Sequence, residues 1–129
     1  MAERHLLQIV VALASLVPIS AGAMGVLFGP AMVDVIGAPV SADSHYRYLS
    51  GLLLGIGIAF ATSVPRIETH AARFRLLAAI VVAGGLARLL SLILRGVPDK
   101  PMLFGLAMEL VITPALAVWQ ARVARRCSA

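Results

Sequence analysis

Cysteine is nearly absent from this chain of 129 residues; its single thiol, Cys127, stands two residues from the end. It excludes an internal disulfide, a C-x-x-C redox pair and a cysteine-based metal site. S-acylation or no role at all remains for it. Charge is scarce as well. Asp, Glu, Lys and Arg make up 13% of the residues, about half of the roughly 25% in a soluble domain. His5, His45 and His70 all lie at the ends of apolar segments, so a haem held by paired histidines in mid-segment has no ligands. No P-loop, H-E-x-x-H or G-x-S-x-G pattern occurs, and Glu109 has no second carboxylate inside an apolar run. The motifs of a hydrolase or a metal enzyme are thus missing, and neither a metal nor a cofactor is expected.

What is present is apolar. Hydrophobic residues make up 60% of the chain and the mean hydropathy is +0.96, a membrane composition. Four segments predict an all-α, integral membrane four-helix bundle in one domain over residues 1–129. The spans fall at about 6–28, 45–64, 72–95 and 101–120, each near the roughly 20 residues that a bilayer requires. The first begins behind a basic start and passes Ala21-Gly22-Ala23, which resembles a signal-peptide cleavage site. The apolar run continues to Phe28, so a retained helix is expected, bent near Pro18. Gly29–Ser44 reads as a loop, with a short interfacial helix over Ala31–Ile36. Asp43 or Ser44, Thr69 and Asp99 are the expected caps of the next three helices. Tyr46, Tyr48 and Trp119 sit where interfacial aromatics belong, and Thr113-Pro114 predicts a kink.

The net charge of +5 and pI of 10.7 do not indicate nucleic acid. The basic residues stand at segment ends, as the positive-inside rule requires. With four spans, Arg4, Arg66, Arg73, Arg75, Arg122, Arg125 and Arg126 share one side, and only Arg47, Arg95 and Lys100 the other. This asymmetry predicts cytoplasmic termini and argues against a dual-topology protein.

Two charges interrupt the apolar runs. Arg88 lies ten residues before Pro98, and Glu109 ten residues after Asp99. In two helices joined by that turn, both sit at the same depth, roughly 12 Å down. A lone charge there costs at least about 2.5–3.5 kcal/mol, so the two are expected to face each other. Gly84-Gly85 next to Arg88 and Gly51-x-x-x-Gly55 in the second span are candidate packing glycines. Arg47, Arg88 and Glu109, with Ser91 and Thr113 on the same faces, form a candidate pocket for an anionic or lipidic ligand. The alternatives are a structural clasp for Arg88 and Glu109 and a snorkelling interfacial role for Arg47.

The segment Arg47-Tyr-Leu-Ser-Gly-Leu-Leu-Leu-Gly-Ile-Gly, then Gly84-Gly-Leu-Ala-Arg88-Leu-Leu-Ser, Gly96-x-Pro98, Glu109-Leu, Pro114 and Trp119-Gln120 resemble a family of small bacterial four-span proteins. That family is known as a domain of unknown function, and the resemblance covers roughly residues 45–121. It is also distantly similar to the DoxX-like four-helix membrane proteins. The resemblance implies the four-helix membrane architecture and no assigned catalytic residue.

Three functions are then open for a multi-pass protein of the bacterial inner membrane. It is a non-enzymatic accessory or assembly subunit of a larger complex, a binder or transporter of a small anionic or lipidic ligand, or an enzyme on a lipid or isoprenoid-like substrate. The expected partners are the bilayer and other membrane subunits or further copies of the chain.

Overall fold

The computed structural model describes residues 2–128; their regular elements are all helical, without a strand among them. Helix α1 covers Ala2–Phe28 and runs through Pro18. Helix α2 covers Val40–Ser63, and α3 covers Ala71–Arg95. The last rod, Lys100–Ser128, consists of α4 (Lys100–Ala107), a π turn (Met108–Ile112) and α5 (Thr113–Ser128). Three stretches are long and apolar enough to cross a membrane: Ala2–Val33, Ala71–Arg95 and Lys100–Ser128. Helix α2 is not among them. Its first half carries Ser41, Asp43, Ser44 and Arg47, and its apolar part from Leu49 to Ser63 is only about 22 Å long.

The expected boundaries shift where local backbone chemistry overrides a side-chain cap. Gly29, at φ 64°, ends α1 in a conformation that favours glycine. A 3-10 turn over Gly29–Val33, with Pro30 near its start, stands where the interfacial helix Ala31–Ile36 was expected. Asp34, in the left-handed region, ends it. Helix α2 starts at Val40, earlier than the expected 45, because Pro39 has the extended backbone of a cap residue and its carbonyl accepts from Asp43 N. Asp43 therefore lies in the first turn, where its charge suits the helix dipole, and neither it nor Ser44 is the cap.

Thr69 does not cap α3 either. Its Oγ1 donates back to Arg66 O at 2.8 Å within a 3-10 turn, and His70 occupies the cap position. Asp99 caps α4 through its carbonyl, which accepts from Met102 N and Leu103 N, and not through its side chain. At Pro114 the helix widens. Proline has no N–H, and its ring collides with the carbonyl four residues back in a regular α-helix. The π turn just before it inserts the extra residue that relieves this, and the N–H and Oγ1 of Thr113 both donate to Met108 O.

Contacts divide the chain into two compact units: the start through Leu7 together with the chain from Pro65 onward, and Gln8–Val64. In the second unit α2 lies antiparallel along α1. A Cβ at Gly25 would collide with Ser50 Oγ, one at Gly22 would stand 2.5 Å from Leu54 N, and one at Gly57 2.8 Å from Ile19. Gln8 Nε2 closes the far end on Val64 O at 2.7 Å. Close backbone approach at these glycines and the Gln8 hydrogen bond hold the pair. In the first unit Leu7, Ile67, Phe74, Ala78 and Val123 are buried together with Gln120. These cluster where α3 begins and α5 ends.

Candidate functional site

Among the described residues, three groups of charged and polar side chains stand out. The first is in the hairpin of α3 and the last rod. Arg88 Nε donates to Glu109 Oε1 at 2.6 Å, and Nη1 reaches Met102 Sδ at 3.0 Å. The contact depends on two local features. The π turn holds Glu109 at a pitch that a regular helix would not have there. Gly85 then lets this swollen turn come close, since a Cβ at position 85 would stand 2.7 Å from Leu110 Cδ2 and 2.8 Å from Glu109 Cβ. Across the hairpin, the guanidinium lies over Gly105, with Cζ 3.7 Å from where a Cβ would be. The side chains are 35% and 18% exposed, so the pair is only partly screened.

The second group is in the other unit. Arg47 Nε donates to Asp43 Oδ2 at 2.8 Å, and Nη1 donates to Val26 O at 2.6 Å and Leu27 O at 3.2 Å. Those carbonyls belong to the last turn of α1, where no further N–H of the helix is available. A cation there also meets the negative end of the helix dipole. Gly29 admits the guanidinium, since a Cβ would stand 2.8 Å from Nη2. Arg47 is thereby a side-chain cap of α1, a role neither of its expected readings included.

The remaining expected site residues are placed as follows. Thr113 gives its hydroxyl to Met108 O. Ser91 is exposed on α3. Of the expected packing glycines, Gly85 makes the tight approach just described. Among the described residues, a Cβ at Gly51 would meet only Val26 Cγ2 at 3.9 Å, and one at Gly55 or Gly84 would meet nothing from another element within 4 Å. The close approaches in the second unit are made by Gly22, Gly25 and Gly57. The spacing Gly22-x-x-Gly25-x-x-x-Gly29 on one face of α1 was a readable signal.

The third group was not anticipated. At the end of the first unit, Glu3 accepts from Trp119 Nε1 at 3.2 Å and pairs with Arg126. Arg4 Nε contacts Glu68 Oε2 at 3.0 Å. Gln120 is fully buried and donates from Nε2 to Ile67 O at 2.8 Å, and its Oε1 has no hydrogen-bond partner among the described residues. These contacts tie the start of α1, the 3-10 turn at Ile67–Thr69 and the end of α5 together. Among the described residues, no three His, Cys, Asp or Glu side chains come together as metal ligands do.

Residues 6–120 match a domain of unknown function, DUF4345. The match takes in the first helix and the loop after it. No curated protein and no solved structure matches the chain.

Proposed function

Since the chain belongs to the DUF4345 family, a domain of unknown function, we propose a role from its own geometry. It is a multi-pass protein of the bacterial inner membrane, a non-enzymatic subunit that accompanies or assembles a larger membrane complex. The observation that carries this is how its polar groups are used. Arg47 closes the end of α1, Arg88 is held by Glu109 and Met102, and Thr113 bonds its own backbone. The outward faces meanwhile stay apolar, with Leu76, Ile93, Leu94, Val111 and Val118 all exposed. Lipid and neighbouring subunits suit such faces better than a reaction does.

In this reading α2 is a fourth crossing. Its apolar part is short, yet it lies beside α1 from Gly29 to Gln8, and its polar start with Tyr46 and Tyr48 falls at the interface. Both termini then face the cytoplasm, and Arg88 and Glu109 form an ion pair inside the membrane. A second reading has one observation in its favour. A guanidinium offers five N–H donors; Glu109 and Met102 take two of Arg88's, and about a third of the side chain is exposed. The free donors suit a small anionic or lipidic ligand.

Native purification followed by mass spectrometry of bound proteins and small molecules separates the two. The proposal expects a stoichiometric membrane-protein partner that is retained when Arg88→Met and Glu109→Leu are combined. A chain that purifies without a protein partner overturns it. A bound anion lost on Arg88→Met would establish the second reading instead.

A further inference from the structure

We infer that the end of the first unit formed by the start of α3 and the end of α5 is a binding surface for anionic phospholipid headgroups. Its charge is not balanced. Both carboxylates at this end are already engaged, Glu3 by Arg126 and Glu68 by Arg4. Arg66, Arg73, Arg75, Arg122 and Arg125 are exposed, and none has an ion-pair partner among the described residues. Every basic group here is arginine, and the sole lysine, Lys100, belongs to the far turn. Arginine presents a planar fork of donors that matches phosphate oxygens in pairs, which a lysine ammonium does not.

The arrangement favours lipid over a protein partner. Arg73 and Arg75 flank Phe74, and Arg122 and Arg125 stand on either side of Val123 in sequence, with Phe74 and Val123 both buried. Residues directly before and after a buried one point to different sides of a helix, so Arg73 and Arg75 splay apart on α3, while Arg122 and Arg125, three apart, share a face of α5. The guanidiniums therefore stand on two helices and on more than one face, not on a single docking face. Exposed Leu76 is next to Arg75 and exposed Val118 is four residues before Arg122, so the charged end borders directly on the apolar belt. Charges at that border meet headgroups from the surrounding lipid. A soluble acidic partner would need a one-sided patch.

The inference rests on the membrane reading proposed above, and the test keeps the two apart. The whole chain is incorporated into nanodiscs of phosphatidylcholine alone and of an equimolar mixture with phosphatidylglycerol. Retained lipids are counted by native mass spectrometry. Each basic residue near an anionic surface changes lipid partitioning by about fivefold, so phosphatidylglycerol is expected to exceed phosphatidylcholine among retained lipids by at least that factor. Combining Arg73→Gln, Arg75→Gln, Arg122→Gln and Arg125→Gln should cut the ratio several-fold, toward what Arg66 alone contributes, while Arg95→Gln with Lys100→Gln should not. The four changes leave the Glu3, Glu68 and Gln120 contacts in place. Should that variant still fail to incorporate, a salt titration of the unmodified chain gives the second readout. The preference should fall steeply toward about 1 M salt, where screening shortens to roughly 3 Å.

A ratio near one for the unmodified chain, or a preference untouched by the four substitutions, overturns the inference. So does a salt-sensitive acidic protein in place of the lipid. A chain that does not incorporate even into phosphatidylcholine overturns the membrane reading itself, and the inference with it.

Discussion

At the scale of single residues, two neighbouring glycines in α3 differ because of what faces them. A Cβ at Gly85 would lie under 3 Å from Leu110 and Glu109, whereas one at Gly84 would meet no other element within 4 Å among the described residues. Gly85→Ala should therefore lower stability in detergent by about 1–3 kcal/mol, the usual cost of overpacking. Gly84→Ala should be neutral or raise it slightly, since alanine is the better helix former by about 1 kcal/mol. Thermal unfolding of both variants checks this, and equal loss in the two would refute the close approach at Gly85. Arg88 and Glu109 support a second prediction. Removing one partner of a buried pair costs about 3–5 kcal/mol and replacing both is often nearly neutral. With Arg88 about a third exposed, the lower part of that range applies. Arg88→Met should thus destabilise strongly, Glu109→Gln less, and Arg88→Met with Glu109→Leu should recover much of the loss. Losses that simply add in the double variant would mean that the pair is not coupled.

At the scale of elements, the π turn lets the last rod carry Pro114 and still meet its neighbours through Glu109 with Arg88 and Gln120 with Ile67. Deleting Val111 would remove the extra residue and close the turn to regular α-helix, keeping the azimuth of α5 nearly unchanged but setting the ring of Pro114 against the carbonyl four residues before it. The deletion is expected to cost more stability than Val111→Ala, which leaves the turn its length and removes only an exposed side chain, and adding Pro114→Ala to the deletion should recover much of that cost. Equal thermal midpoints for the deletion and Val111→Ala would show that the turn does not relieve the proline. The hairpin of α1 and α2 depends instead on small residues meeting in antiparallel order, with Arg47 closing one end and Gln8 the other.

At the scale of the whole molecule, topology is the open test. Reporter fusions or cysteine labelling should place residues 66–75 and 122–128 in the cytoplasm and residues 30–44 and 96–101 outside. A fusion at position 98 that is active only in the cytoplasm would contradict the orientation. Positions 34–40 matter in the same experiment, because they join α1 to the helix that composition alone does not mark as a span. Ile36 and Val40 are almost wholly exposed there, which suits an interfacial loop.

The sequence by itself determined the helical class and the apolar stretches long enough to cross a membrane, because composition and run length act locally and need no partner. It also put Arg88 and Glu109 at equal distance from one turn, since a short hairpin ties sequence separation to depth. Only the tertiary structure decided which glycines matter. That depends on the azimuth of each helix, which the excess of Gly22, Gly25 and Gly57 over Gly51 and Gly55 in close contacts makes plain. It also decided that Arg47 binds the end of α1, that Pro114 is absorbed by a wide turn, and that Gln120 is buried on Ile67 O. Each of these satisfies a backbone group left open by the fold, and such vacancies exist only once helix ends and their neighbours are in place.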